Sequence, residues 1–216
     1  MSLTLGISTS CPQFEVIIGE NAHVLSSSAY TIAINDKKDI AFLVAEGLEK
    51  MGLTIQDITK LIVDIGPGGT SLVRTGVAFA NGLSYSLGIP ICPVSSVELI
   101  GFEAWNTYKL PVICTVKSIK DSAYVALYDG KLVKIKYGIL DTVVGEMVAD
   151  IEEFVVAGVH RPQLLAAFSH KTLHDSGLQF GKAKYLIKQS ALFADRFVSF
   201  PAFVQPITEQ SAHLYE

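Results

Sequence analysis

"VDIGPGGTSLVRTGVAFANGLSYSLG", residues 63–88, decides how this chain folds. A short apolar run, residues 61–65, reads as a strand buried on both faces. Gly66, Pro67, Gly68 and Gly69 then turn the chain sharply, and Gly and Pro are the strongest local punctuators. A long segment at helical spacing follows from about Ser71, and Gly88 stops it. Strand, glycine turn and helix in that order is an arrangement that can hold phosphate, because a helix N-terminus offers free N–H groups.

The common phosphate signatures are absent. A P-loop needs Lys-Ser or Lys-Thr after its last glycine, and none follows here. Counting G-x-G-x-x-G from Gly66 places Ser71 where the third glycine belongs. Two readings stay open for Gly66, Gly68, Gly69, Thr70 and Ser71. They form a phosphate-binding turn, or a compact strand-to-helix elbow with Thr70 or Ser71 as its cap.

Working outward, residues 3–8, 13–18 and 22–29 read as three antiparallel strands joined by turns. Asn35-Asp36 offers a helix cap, and a helix is expected over residues 39–51. After the glycine turn and its helix come a buried strand at 91–94 and a helix over 97–108 capped by Ser95-Ser96. The second half begins again with strands at 111–117, 122–128 and 131–138, with Asp129-Gly130 as a tight hairpin. A helix over 142–156, a strand over 164–168 and a helix over 182–193 complete the expectation. No sequence repeat is visible, but the order of elements repeats. The expected fold is α/β with two actin-like, ribonuclease-H-like lobes, residues 1–108 and 109–216, each a mixed sheet flanked by helices.

The two helices of the first lobe carry apolar residues around most of their circumference. On the second, Leu72, Gly76, Phe79, Ala80, Leu83 and Leu87 form one stripe, and Val73, Val77, Ala80 and Ser84 another. On the first, Ile40, Leu43, Val44, Gly47, Leu48 and Met51 face a core, leaving Ala41, Phe42 and Ala45 elsewhere. Such helices are either fully covered in their own domain or shared with a partner. The candidate interface is Phe42, Ala45, Glu46 and Glu49 with Val73, Arg74, Val77, Asn81 and Ser84.

Composition narrows the function classes. Half of the 216 residues are hydrophobic and the net charge is −4. That argues against a dedicated nucleic-acid surface, which needs clustered Lys and Arg. Cys11, Cys92 and Cys114 form no C-x-x-C, so a disulfide framework or zinc site is not suggested and buried thiols are expected. No apolar run reaches the length of a membrane span. A soluble cytoplasmic protein is the expectation, with no metal. His170 and His174, four apart, read as surface histidines. Lys131, Lys134 and Lys136 read as a solvated sheet edge.

Residues 66–96 resemble the TsaB (YeaZ) family. Gly66, Pro67, Gly68, Arg74, Gly76, Gly82, Leu83, Gly88, Pro90, Val94, Ser95 and Ser96 match its pattern. The resemblance implies an actin-like fold and a non-catalytic role in making N6-threonylcarbamoyladenosine in tRNA. It implies pairing with a TsaD-like catalytic subunit through the two helices, pairing with a second copy in isolation, docking of a TsaE-like ATPase, and at most indirect tRNA contact. No cofactor is implied beyond weak ATP binding. The chain departs from the family where polar chemistry is expected. Ser8-Thr9 replaces Asp-Thr, Gly69-Thr70-Ser71-Leu72 replaces Ser-Phe-Thr-Gly, and only Tyr124 survives of a D-A-R-x-G-E-V-Y run. The alternative is an ATP-dependent phosphotransferase or acyl-transfer enzyme of the same fold class, using residues 66–71.

Overall fold

The computed structural model describes residues 2–31 and 39–214. They form two compact units, one of residues 1–95 with 182–206, the other of residues 96–181 with 207–216.

In the first unit, β1 (Leu3–Ser8), β2 (Gln13–Glu20) and β3 (His23–Thr31) form an antiparallel meander. β4 (Ile58–Asp64) pairs parallel with β1, and β5 (Ile91–Val94) parallel with β4. The order is β3-β2-β1-β4-β5. β1 and the C-terminal half of β4 are buried throughout, as continuous apolar strands between helical layers must be. α1 (Ile40–Glu49) starts at Asp39, whose carboxylate accepts the Phe42 amide proton at 2.8 Å. The cap expected at Asn35-Asp36 lies outside the described residues. α2 (Thr70–Leu87) ends at Gly88, whose φ of 66° is the left-handed conformation that closes helices without steric cost.

α3 (Ser96–Tyr108) packs on the second sheet. That sheet contains β6 (Val112–Lys117), β7 (Ser122–Tyr128), β8 (Leu132–Ile139), β9 (Glu153–Gly158) and β10 (Thr172–Asp175), in the order β10-β9-β6-β7-β8. Read from β8, this is the topology of the first sheet repeated: a meander followed by two parallel strands. α4 (Leu140–Met147) and α5 (Arg161–Ala167) pack on it. Leu140, Val143, Val144, Met147, Phe154 and Leu164 are the centre of its core.

Several expectations shift. The helix expected over 142–156 stops at Met147, and the apolar run that follows is β9. The strand expected over 164–168 is helical, its start marked by Pro162 in the first turn of α5. The helix expected over 182–193 divides into α6 (Lys184–Lys188) and a 3-10 segment, Ser190–Arg196. The contacts also group differently from a boundary after residue 108. α3 goes with the second sheet, and 182–206 returns to the first.

α6 contacts β1, β2 and β3. Leu186 lies 3.2 Å from where a Cβ on Gly6 would stand, and a Cβ on Gly19 would collide with Ile187. Gly47 of α1 is seated on Ile18 instead. Because Gly6 pairs with Ile17, and Ile18 points the opposite way, α6 and α1 cover opposite faces of the sheet.

Candidate interaction face and glycine turn

α2 presents only part of its circumference. Val73, Val77, Ala80 and Ser84 are at most 3% exposed, buried in the core of their own unit. Val73, Val77 and Ser84, read from sequence as interface residues, are therefore unavailable to a partner. Of the two apolar stripes, this one sits over the sheet, with Val73 against Gly66. The other, Leu72, Phe79 and Leu83, is half-buried and borders a run of small exposed residues, Ser71, Thr75, Ala78, Gly82 and Ser86. A Cβ on Gly82 would meet nothing within 4 Å. Of the remaining expected residues, Phe42, Ala45, Glu49 and Arg74 are exposed and Glu46 is half-buried. Glu46 pairs with Lys50 at 3.4 Å.

Between α1 and α2 runs a groove of about 580 Å³, lined by Ala41, Ala45, Leu48, Leu53, Phe79 and Leu83 among others. On the other flank of α2 stands an aromatic bank that sequence reading missed. The Tyr85 ring lies 5.4 Å from Phe200 and 6.2 Å, stacked, from Phe203. Asn81 holds this segment in place. Its amide donates to the Val204 carbonyl at 2.9 Å and its Oδ1 accepts the Val204 N–H at 3.0 Å. Asn81 is thus engaged within the unit. Small residues in the middle with apolar material on both sides make a shallow track suited to close approach of another helix.

At the N-terminal end of α2 the glycine turn is closely packed. Gly69 is the cap, with no side-chain bond, so neither Thr70 nor Ser71 caps the helix. Gly69, Thr70 and Ser71 are exposed, while Gly66 is buried. Beneath the turn lies Asp64, 1% exposed, a residue the sequence reading passed over. Its Oδ2 accepts the Ser8 hydroxyl at 2.7 Å and the Ser10 hydroxyl at 2.5 Å, and its Oδ1 accepts the Gly66 amide at 2.9 Å. Burial pushes this carboxyl up from 3.8 to about 6, against the three donors that favour the anion. The signal was present in the sequence: one acid within an apolar strand requires buried donors.

The histidines do not meet. His174 lies in β10 and bonds Glu153 Oε1 at 2.9 Å, while His170 packs on Phe168. Among the described residues no group of three or more His, Cys, Asp and Glu is placed to hold a metal ion. Lys134 and Lys136 stand on the edge strand β8, where Lys136 pairs with Glu146 at 2.8 Å. Cys92 and Cys114 are buried, and Cys11 is partly exposed. No described helix is long and apolar enough to cross a membrane.

The family profile described as TsaD, tRNA N6-adenosine threonylcarbamoyltransferase, matches residues 32–200. The chain belongs to the TsaD family. Within that frame it resembles the TsaB (YeaZ) proteins. YeaZ from Pseudomonas aeruginosa superposes with a TM-score of 0.75 over 96% of this chain and 100% of that one, at 17% identity, which shows a common fold. TsaB from Bacillus subtilis is 37% identical over 98 residues, 44% of this chain and 40% of that protein. The tRNA N6-adenosine threonylcarbamoyltransferase of Fusobacterium nucleatum is 30% identical over 112 residues, 44% of this chain and 33% of that protein. This TsaD-family chain spans between a third and about half the length of the first such curated relatives it matches. Its two-sheet architecture is the actin-like one.

Proposed function

We propose that this chain serves the threonylcarbamoylation of tRNA as a non-catalytic subunit. It pairs through the outer strip of α2 and the flank of α1 with a TsaD-like subunit. In the absence of that subunit it pairs with a second copy, and a TsaE-like ATPase docks on the mixed pair. The observation that carries this reading is the strip itself: small residues along α2 between the α1 groove and the Tyr85 bank. Family membership and the end-to-end likeness to YeaZ support the process.

The strip differs from the Val77 face, so the test must use exposed positions. Ala78→Arg places a charged side chain in the middle of the track without touching the core. A desolvated, unpaired charge in an interface costs several kcal/mol, so affinity for the TsaD-like subunit is expected to fall at least about 100-fold. Co-purification and sedimentation read this directly. Wild-type pairing by the variant would put the interface elsewhere. Calorimetric titration with Mg-ATP addresses the enzyme alternative: micromolar binding abolished by Thr70→Glu, at an exposed position of the turn, would favour phosphate binding there.

A further inference from the structure

We propose that Ser8, Ser10 and Asp64 form an internal latch that seats the loop after β1 on the glycine turn and thereby sets the start of α2. The register places the first two partners side by side. Ile7 pairs with Val63, so Ser8 and Asp64 end neighbouring parallel strands. The chain then folds over the turn. A Cβ on Gly68 would collide with the backbone and Cβ of Ser10, so glycine is required there by Ser10 itself. Thr9, 1% exposed, donates its hydroxyl to the Leu72 carbonyl at 2.8 Å, and it fills the notch left by Gly76. Three consecutive residues thus engage the end of β4, the turn and the first turns of α2.

Asp64 is the common acceptor. It takes both serine hydroxyls on one oxygen and the Gly66 amide on the other. Removing it would leave the buried Ser8 hydroxyl without its acceptor, and orphaned buried donors are costly. Glu15 is the other titratable group acting on this carboxylate, and the carboxylate in turn acts on the Cys11 thiol. Gly68 therefore serves close packing by the chain's own loop. Any effect of the latch on partner binding rests on the proposed function; the latch does not.

Hydrogen–deuterium exchange on the unpartnered full-length chain tests it. Ser10→Ala should speed exchange of the Gly66, Val73 and Gly76 amides about tenfold or more through local opening, with β2 and β3 unchanged. In an Asp64→Ala background, which has neither acceptor oxygen, the same substitution should add less than about twofold, because coupled residues are non-additive. Unchanged exchange at the three amides, or equal effects in both backgrounds, would overturn the latch. Should Asp64→Ala fail to fold, Ser10→Thr decides: it retains the hydroxyl and should restore slow exchange, whereas exchange as fast as in Ser10→Ala refutes the proposal. Because pairing is not read, either result leaves the partner question separate.

Discussion

Replacing Asp64 by Asn should change how stability depends on pH, with a sign that burial fixes. In the folded chain the carboxyl titrates at about 6, against 3.8 when solvated. The folded state therefore binds this proton more tightly than the unfolded state. Its contribution is complete below about pH 4 and is lost as pH rises through about 6. At about 1.36 kcal/mol per pH unit, that difference sets a ceiling of roughly 3 kcal/mol. For a domain of this size it is equivalent to roughly 6–12 °C in Tm. Asn resembles the protonated acid at every pH. Relative to wild type, Asp64→Asn should therefore gain most of that margin between pH 4 and pH 7.5. Calorimetric melts of both proteins across this range, compared as differences, cancel the other titrating groups. A constant difference would mean that Asp64 does not titrate in the window. With the melts extended down to about pH 2, a variant that loses ground as pH rises from about 2 to 4 would mean that the two hydroxyls and the Gly66 amide outweigh burial and hold the anion below its ordinary range.

Three further outcomes follow from positions already described. Gly82→Ala should raise the stability of the isolated chain by about 1 kcal/mol, roughly 2–4 °C in Tm, because helix-interior glycine costs about that much and its Cβ enters open space. Gly158→Ala should unfold the second unit, since φ is +97° and the new Cβ would overlap the Thr115 carbonyl; native far- and near-ultraviolet dichroism in that variant would contradict the geometry. Asn81→Ala breaks both bonds to Val204 and should cost about 1–3 kcal/mol, with faster limited proteolysis within 200–206; an unchanged cleavage pattern would show the segment held by its aromatic rings alone.

Legibility in the sequence followed the strength of local signals. β1, β4, α2 and its stop at Gly88 were readable because continuous apolar runs and glycine punctuation agree there. The region after Met147 was not. "EFVVAG" is an apolar run too short for its period to separate strand from helix, and Pro162 carried the signal for a helix start. The face of α2 was misjudged for a related reason. Both stripes are apolar, and only the sheet beneath decides that Val73 and Val77 turn inward while Phe79 and Leu83 border the groove. The Tyr85 bank depends on residues more than a hundred positions later, which no local pattern reports.

The return of residues 182–206 to the first sheet has a consequence for biosynthesis. A ribosome that has released residues 1–95 has delivered every strand of that sheet but not α6, which seals one of its faces at Gly6 and Gly19. The apolar side meant for Leu186 and Ile187 must wait, wet, while the intervening 86 residues are made. Nascent chains stalled before residue 182 should therefore attract holdase chaperones, and no single cut in the gene can yield both units whole.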